Sequence, residues 1–257
     1  MRPVLLLAAL AALAAHAPPA GAAERTAPPG AFVSLADVDP SIIVDMRYTT
    51  SHNFVGRPIR GYEEPLCILT RPAAEALARA QAAVRQDGYT LKVYDCYRPQ
   101  RAVDVFVAWA KRLRDERTKA EFYPRVEKDR LFADGYIAEQ SGHSRGSAVD
   151  VTLVRRPARR QERYRRAAQV DCAKAAGVRF GDNSIDMGTG YDCFDPLSHP
   201  FNGRVKGVQR RNRLQLRHAL VAQGFAPLKE EWWHFKLRTE PFPETFFDFP
   251  VARAELR

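Results

Sequence analysis

Cysteine is scarce, at four in 257 residues, and no two stand as C-x-x-C, which excludes a thiolate metal knuckle and a thioredoxin-like redox motif. There is no G-x-G-x-x-G, no Walker loop and no internal repeat, so a doubly wound nucleotide binder and a solenoid are both disfavoured. No nucleic-acid-binding motif accompanies the basic excess, and no nucleic-acid partner is expected. Past the N-terminus, apolar stretches such as 102–113 are broken by charge or end within about three helical turns, so no transmembrane segment is expected.

What is present begins with export. Arg2 precedes Leu5, Leu6 and Leu7, an Ala/Leu run to Ala15, and the small residues Ala20, Gly21 and Ala22. This reads as a signal peptide over 1–22, too short to anchor, cleaved near Ala22 and placing the mature chain in the periplasm or outside the cell. No cysteine follows the cleavage point, which argues against a lipoprotein. Residues 23–30 read as a flexible Pro/Ala-rich tail and 31–257 as one domain. In an oxidising compartment Cys67, Cys96, Cys172 and Cys193 allow three pairings; we expect Cys67 with Cys96 and Cys172 with Cys193.

The formal charge of +10 falls to about +9 once Arg2 leaves with the signal. It is densest at Arg155, Arg156, Arg159, Arg160, Arg163, Arg165 and Arg166, in a polar, aperiodic stretch read as a basic insertion near 155–183. Such a run is either a solvated face or a contact for anionic wall polymers or membrane surfaces, and the solvated reading is the default.

Apolar periodicity predicts helices over 72–86, 102–113 and 207–223, the first opening on Pro72 and stopping at Gly88, the last stopping at Gly224. Strands are predicted over 91–94, 147–153 and 232–237. Strands and helices interspersed without a repeating unit indicate an α+β domain.

Chemistry concentrates in three segments. In Ser141-Gly142-His143-Ser144-Arg145-Gly146-Ser147-Ala148-Val149-Asp150 an imidazole and a carboxylate lie seven positions apart. Fully extended they would stand roughly 23 Å apart, so both meet one ion only if the chain turns, and Gly142 and Gly146 flank His143 where a turn is needed. Asp150 interrupts the apolar run Val149, Val151, Leu153, where a carboxylate needs a cation or a full set of donors. In Glu230-Glu231-Trp232-Trp233-His234-Phe235 a third ligand, His234, follows a carboxylate by three. Two histidines and one carboxylate with an open fourth position is a catalytic zinc arrangement, and Glu231 is the candidate base for an attacking water. The aromatics favour a strand, which would put Glu231 and His234 on opposite faces unless Glu231 sits at a bend before the strand begins. In Tyr94-Asp95-Cys96-Tyr97-Arg98-Pro99, Arg98 is either an oxyanion stabiliser or a surface salt-bridge partner.

Taken together these residues resemble the zinc D-alanyl-D-alanine dipeptidases, the vancomycin-resistance type included. The match also takes in Tyr48-Thr49-Thr50 with Asn53-Phe54, Gly61-Tyr62, Met187-Gly188, Tyr191-Asp192 and Ser198-His199, and it spans nearly the whole mature chain. The S-x-H-x-x-G-x-A-x-D and E-x-x-H elements are shared more widely, with DD-carboxypeptidases and hedgehog domains. The resemblance implies a mainly antiparallel sheet flanked by helices, of the hedgehog/DD-peptidase type. It implies one Zn2+ on His143, Asp150 and His234, Glu231 as base and acid, and Arg98 against the oxyanion. It further implies a small D,D-dipeptide substrate whose ammonium meets Asp192, in a pocket shaped or supported by Ser141, Tyr48, Tyr62 and Asp95. Read without the resemblance, the tyrosines are half-buried aromatics, Asp95 a partner for Arg98, Ser141 a turn residue and Asp192 a cap. Two other activities stay open: a zinc DD-carboxypeptidase on longer wall peptides, and a non-catalytic zinc-stabilised wall-binding domain. Two features depart from the family pattern, the Arg-rich stretch after Leu153 and Cys193 beside Asp192.

Overall fold

Two short paired strands lie near the start of the described residues and a five-stranded sheet organises the rest. The computed structural model describes residues 30–256 and, ahead of them, 26 and 28; the predicted signal peptide and most of the predicted tail lie outside the described residues. Strand β1 (Phe32–Ser34) leads into a one-turn helix α1 (Leu35–Val38) and strand β2 (Ile43–Val44); β3 (Ile68–Thr70) then returns antiparallel to β1. Helix α2 (Arg71–Gln86) buries Ala73, Leu77, Ala80 and Val84, the predicted stripe, with Pro72 in its first turn and Gly88 past its end at φ 81°. It packs on strand β4 (Tyr89–Asp95) and on helix α5 (Gly207–Val221).

Between them run helix α3 (Gln100–Ala110), the single turn α4 (Lys119–Phe122), strand β5 (Ala148–Arg155) and, after α5, strands β6 (Phe225–Pro227) and β7 (His234–Leu237). The sheet order is β2-β4-β5-β7-β6, parallel only at β2–β4 and antiparallel elsewhere, which is the expected mainly antiparallel sheet flanked by helices. β5 is buried from Ala148 to Val154, as befits a central strand covered on both faces. Among the described residues no helix is long and apolar enough to cross a membrane.

Several boundaries differ from the periodicity reading, the helix expected to reach residue 223 ending at Val221 among them. The helix predicted to reach Leu113 stops at Ala110, because Lys111, Arg112 and an exposed Leu113 offer nothing to bury. β4 and β5 extend past the apolar runs, since ladder bonding with each other continues through Tyr89 and Arg155. The strand predicted from Trp232 begins only at His234, because the chain bends at Trp232 and Trp233 to seat both indoles in the core.

Both expected disulfides form, Cys67–Cys96 with Cα atoms 5.2 Å apart and Cys172–Cys193 with Cα atoms 5.6 Å apart. The basic stretch is largely irregular; its seven arginines from Arg155 to Arg166 are exposed, whereas Arg179 is buried and pairs with Asp186. It is anchored at its far end, where Asp182 takes hydrogen bonds from Tyr94 and Lys92 and pairs with Arg47, all three buried.

Candidate active site

The ladder of β4, β5 and β7 assembles the centre. Asp150 pairs directly with His234 across β5–β7, and a bulge between Val93 and Asp95 brings Asp95 opposite Asp150 on the other side. His143 comes from the 3-10 turn Gly142–Arg145 that leads into β5, with the Ser141 hydroxyl accepting the His143 N–H at 3.2 Å. Of the two glycines expected to make the turn, Gly146 supplies the left-handed step at φ 78°, while Gly142 simply begins the 3-10 turn.

The three predicted donors converge. His143 Nε2 is 3.0 Å from His234 Nδ1 and 3.2 Å from Asp150 Oδ1, and His234 Nδ1 is 3.1 Å from the same oxygen. The chemistry of this set fits a divalent cation. His143 Nδ1 donates to the Cys96 carbonyl at 2.7 Å, so its Nε2 presents a lone pair. Any one proton among the three atoms satisfies only one or two of the contacts, whereas a shared positive charge satisfies all three. In a tetrahedral shell with bonds of about 2.0 Å the donors lie about 3.3 Å apart, close to the separations seen here. His143 and Asp150 are buried and His234 nearly so, which keeps water from competing. Burial pushes the Asp150 carboxyl up, but the His143 and His234 imidazoles outweigh it and hold the group well below the usual carboxylate range.

Around the donors lies a cleft of about 510 Å³. Glu231 lines it from the bend before β7, its Oε2 4.0 Å from His234 Nδ1, so the condition set by the aromatic run is met. Burial, with the charges of Asp150 and Asp192, pushes the Glu231 carboxyl well above its ordinary value against the pull of Arg98. Arg98 is no surface residue: its Nε and Nη2 each lie 2.9 Å from Asp95 Oδ2, and its Nη2 lies 3.7 Å from Asp150. The guanidinium carbon stands 5.3 Å from the Tyr48 ring centroid and 5.1 Å from that of Phe106.

Tyr48, Ser141 and Asp192 also line the cleft, and the Tyr48 hydroxyl donates to Asp192 Oδ2 at 2.9 Å. Burial first, then the charge of Asp150, pushes the Asp192 carboxyl up to about 8. Tyr62 and Asp95 stand elsewhere. They lie behind Arg98, Tyr62 donating to Asp95 Oδ1 at 2.6 Å and Asp95 fully buried, so they brace the guanidinium and do not face the cleft. Sequence reasoning gave no role to Tyr191, which donates to Asp150 Oδ2 at 2.9 Å and so occupies the carboxylate oxygen not turned to the imidazoles. Its place beside Asp192 was the only signal. Of the apolar walls, Phe54 lies within the motifs of the family match, while Phe106, Tyr136, Ile137 and Phe194 carried no such mark.

A buried His–Asp–His donor set beside a carboxyl and a guanidinium, all opening on one cleft, defines a metallopeptidase. The chain belongs to the Peptidase_M15 family, described as D-ala-D-ala dipeptidase, which it matches over residues 30–161 and 160–252. It is 38% identical over 223 residues to a D-alanyl-D-alanine dipeptidase of Streptomyces coelicolor, covering 87% of this chain and 99% of the relative. A D-alanyl-D-alanine dipeptidase of Enterococcus faecium is 34% identical, over 86% of this chain and 98% of its own. One of Escherichia coli is 29% identical, over 80% and 84%. The two family-matched segments meet at 160–161, inside the Arg-rich stretch.

Proposed function

We propose that the protein is an exported zinc dipeptidase that hydrolyses D-alanyl-D-alanine to D-alanine in cell-wall peptide metabolism. The observation that carries this reading is the meeting of His143, Asp150 and His234 within 3.2 Å of one another beside Glu231 and Arg98. The activity for which the relatives are named supports the substrate.

His143, Asp150 and His234 would hold one Zn2+, which supplies Lewis acidity toward the scissile carbonyl and toward the attacking water. Glu231 accepts the proton of that water and delivers it to the leaving amine; a carboxyl held above its ordinary range by burial is suited to both halves of the task. Arg98, fixed by two contacts to Asp95, stands ready to face the oxyanion of the tetrahedral intermediate without reorganising. Asp192, paired among the described residues with the neutral Tyr48 hydroxyl, receives the substrate's α-ammonium, and Ser141, which accepts from Arg98 Nη1 at 3.4 Å, also lines the cleft. The exposed arginines from Arg155 to Arg166 form a solvated face by default; salt-sensitive binding to anionic vesicles would instead make them a contact for anionic wall or membrane surfaces.

The deciding experiment incubates zinc-loaded protein with D-Ala-D-Ala, its L,L counterpart and a wall pentapeptide, and identifies the products. Free D-alanine from the D,D-dipeptide alone is the expected result. Release of D-alanine from the pentapeptide but not the dipeptide would make it a carboxypeptidase, and binding without hydrolysis a wall-binding domain.

A further inference from the structure

Asp192 occupies a backbone conformation that most side chains avoid and that Asp and Asn adopt only at single turn positions. Its φ is 54°, in the left-handed region, where a Cβ crowds the following carbonyl. The strap 188–194 that carries it belongs to no strand or helix, so no ladder of hydrogen bonds imposes that conformation.

What imposes it lies to either side. Cys193, the next residue, is bonded to Cys172 in the basic insertion. The Cys172 carbonyl accepts the Gly190 N–H at 2.8 Å, so Cys172 grips the strap on both flanks of Asp192. Cys172 is itself seated on the domain through its own N–H, donated to the Glu121 carbonyl at 3.0 Å, and Phe194 donates to the Phe122 carbonyl at 2.7 Å. Tyr191 has independent moorings: its ring stacks on Tyr94 at 4.4 Å and its hydroxyl reaches Asp150. Asp192 has a single side-chain tie of its own, the Tyr48 hydroxyl at 2.9 Å, so loss of the bridge falls on Asp192 more than on Tyr191.

We propose that the Cys172–Cys193 bridge is a positioning device, through which the basic insertion holds Asp192 in its left-handed conformation and so sets the affinity for the amino end of the substrate. The proposal rests on the reading of Asp192 as the ammonium anchor. It makes an otherwise peripheral insertion a determinant of ground-state binding, leaving the metal donors and Glu231 untouched. A bridge that serves stability alone would lower the unfolding temperature without favouring one ligand over another.

The test compares the zinc-loaded wild type with the Cys172→Ser/Cys193→Ser protein, folded state verified by circular dichroism. KM for D-Ala-D-Ala should rise about tenfold or more while kcat changes by less than about threefold. N-propionyl-D-alanine, which keeps the shape of the substrate but lacks its ammonium, should inhibit both proteins within about twofold of each other. An unchanged KM in the folded variant, or equal weakening of both ligands, overturns the proposal. Should the double variant not accumulate, wild-type protein reduced in place, with opening of this bridge confirmed by alkylation and mass mapping, is measured and judged in the same way. Absence of hydrolysis by the wild type would instead refute the dipeptidase reading, so the two failures are distinguishable.

Discussion

Glu231 and His234 are three residues apart, and the bend at Trp232 and Trp233 sets the Glu231 carboxylate 4.0 Å from the imidazole that a regular strand would have turned away from it. The carboxylate is thus beside the donor set without completing its triangle. Glu231→Gln keeps the shape and removes the proposed base. Turnover should fall about 10²–10⁴-fold while zinc content, read by atomic absorption, stays at one per chain. Full activity in that variant would rule Glu231 out as the base.

His143→Ala should lose metal and activity together. The remaining pair, Asp150 and His234, sits 3.1 Å apart but lacks the imidazole whose tautomer is fixed by Cys96. Stoichiometric zinc retained after dialysis of this variant would exclude His143 as a ligand.

Arg98→Lys preserves charge but cannot reproduce two donors on Asp95 together with the stacking against Tyr48 and Phe106. We expect kcat to drop about 10²–10³-fold with a smaller change in KM. A variant that keeps wild-type kcat would return Arg98 to the status of a structural ion pair.

Gly146→Ala should destabilise the fold by about 2 kcal/mol or more, since its φ of 78° is left-handed and an added Cβ would lie 2.1 Å from Phe32 Cε1. Urea unfolding measures the difference; equal midpoints would mean that the turn and Phe32 relax freely.

A second buried cluster predicts pH dependence of stability. Arg47 donates to His52 Nδ1 at 3.0 Å, which leaves the single imidazole proton on Nε2, facing Glu121 at 2.8 Å. Burial and the Arg47 charge push His52 down to about 2, and burial pushes Glu121 up to about 7. The unfolded chain takes up a proton at His52 below about 6.5 that the fold refuses, so this group's contribution to stability rises with pH up to there. The fold keeps a proton on Glu121 that the unfolded chain releases above about 4.5, so stability falls through that window until about 7. Glu121→Gln should therefore gain on the wild type by about 2–3 kcal/mol between pH 4.5 and pH 8, measured by denaturation at both. A constant difference would mean that Glu121 titrates normally.

Much of this site was legible in the sequence because its demands are local. Asp150 in an apolar strand announces a cation, and an imidazole seven residues earlier with Gly146 between them announces the turn. Depth was not legible. Nothing in the spacing of Tyr62 or Asp95 tells whether they face the cleft or stand behind Arg98, because that depends on a bulge in β4. Tyr191 reaches Asp150 from 41 residues away, and Asp182 reaches Tyr94 from 88, so neither contact leaves a mark in any window of sequence. The helix and strand ends moved for a related reason, since ladder partners and buried indoles decide them more than propensity does.

Side chains alternate across a strand, so sliding β7 by one position against β5 would send His234 to the far side of the sheet and leave Asp150 facing Phe235 or Trp233. The hydrolytic centre is in this sense a gauge of correct assembly. A misaligned copy would be chemically complete yet inert, and metal uptake by refolding protein would count the molecules whose strands had found their proper partners.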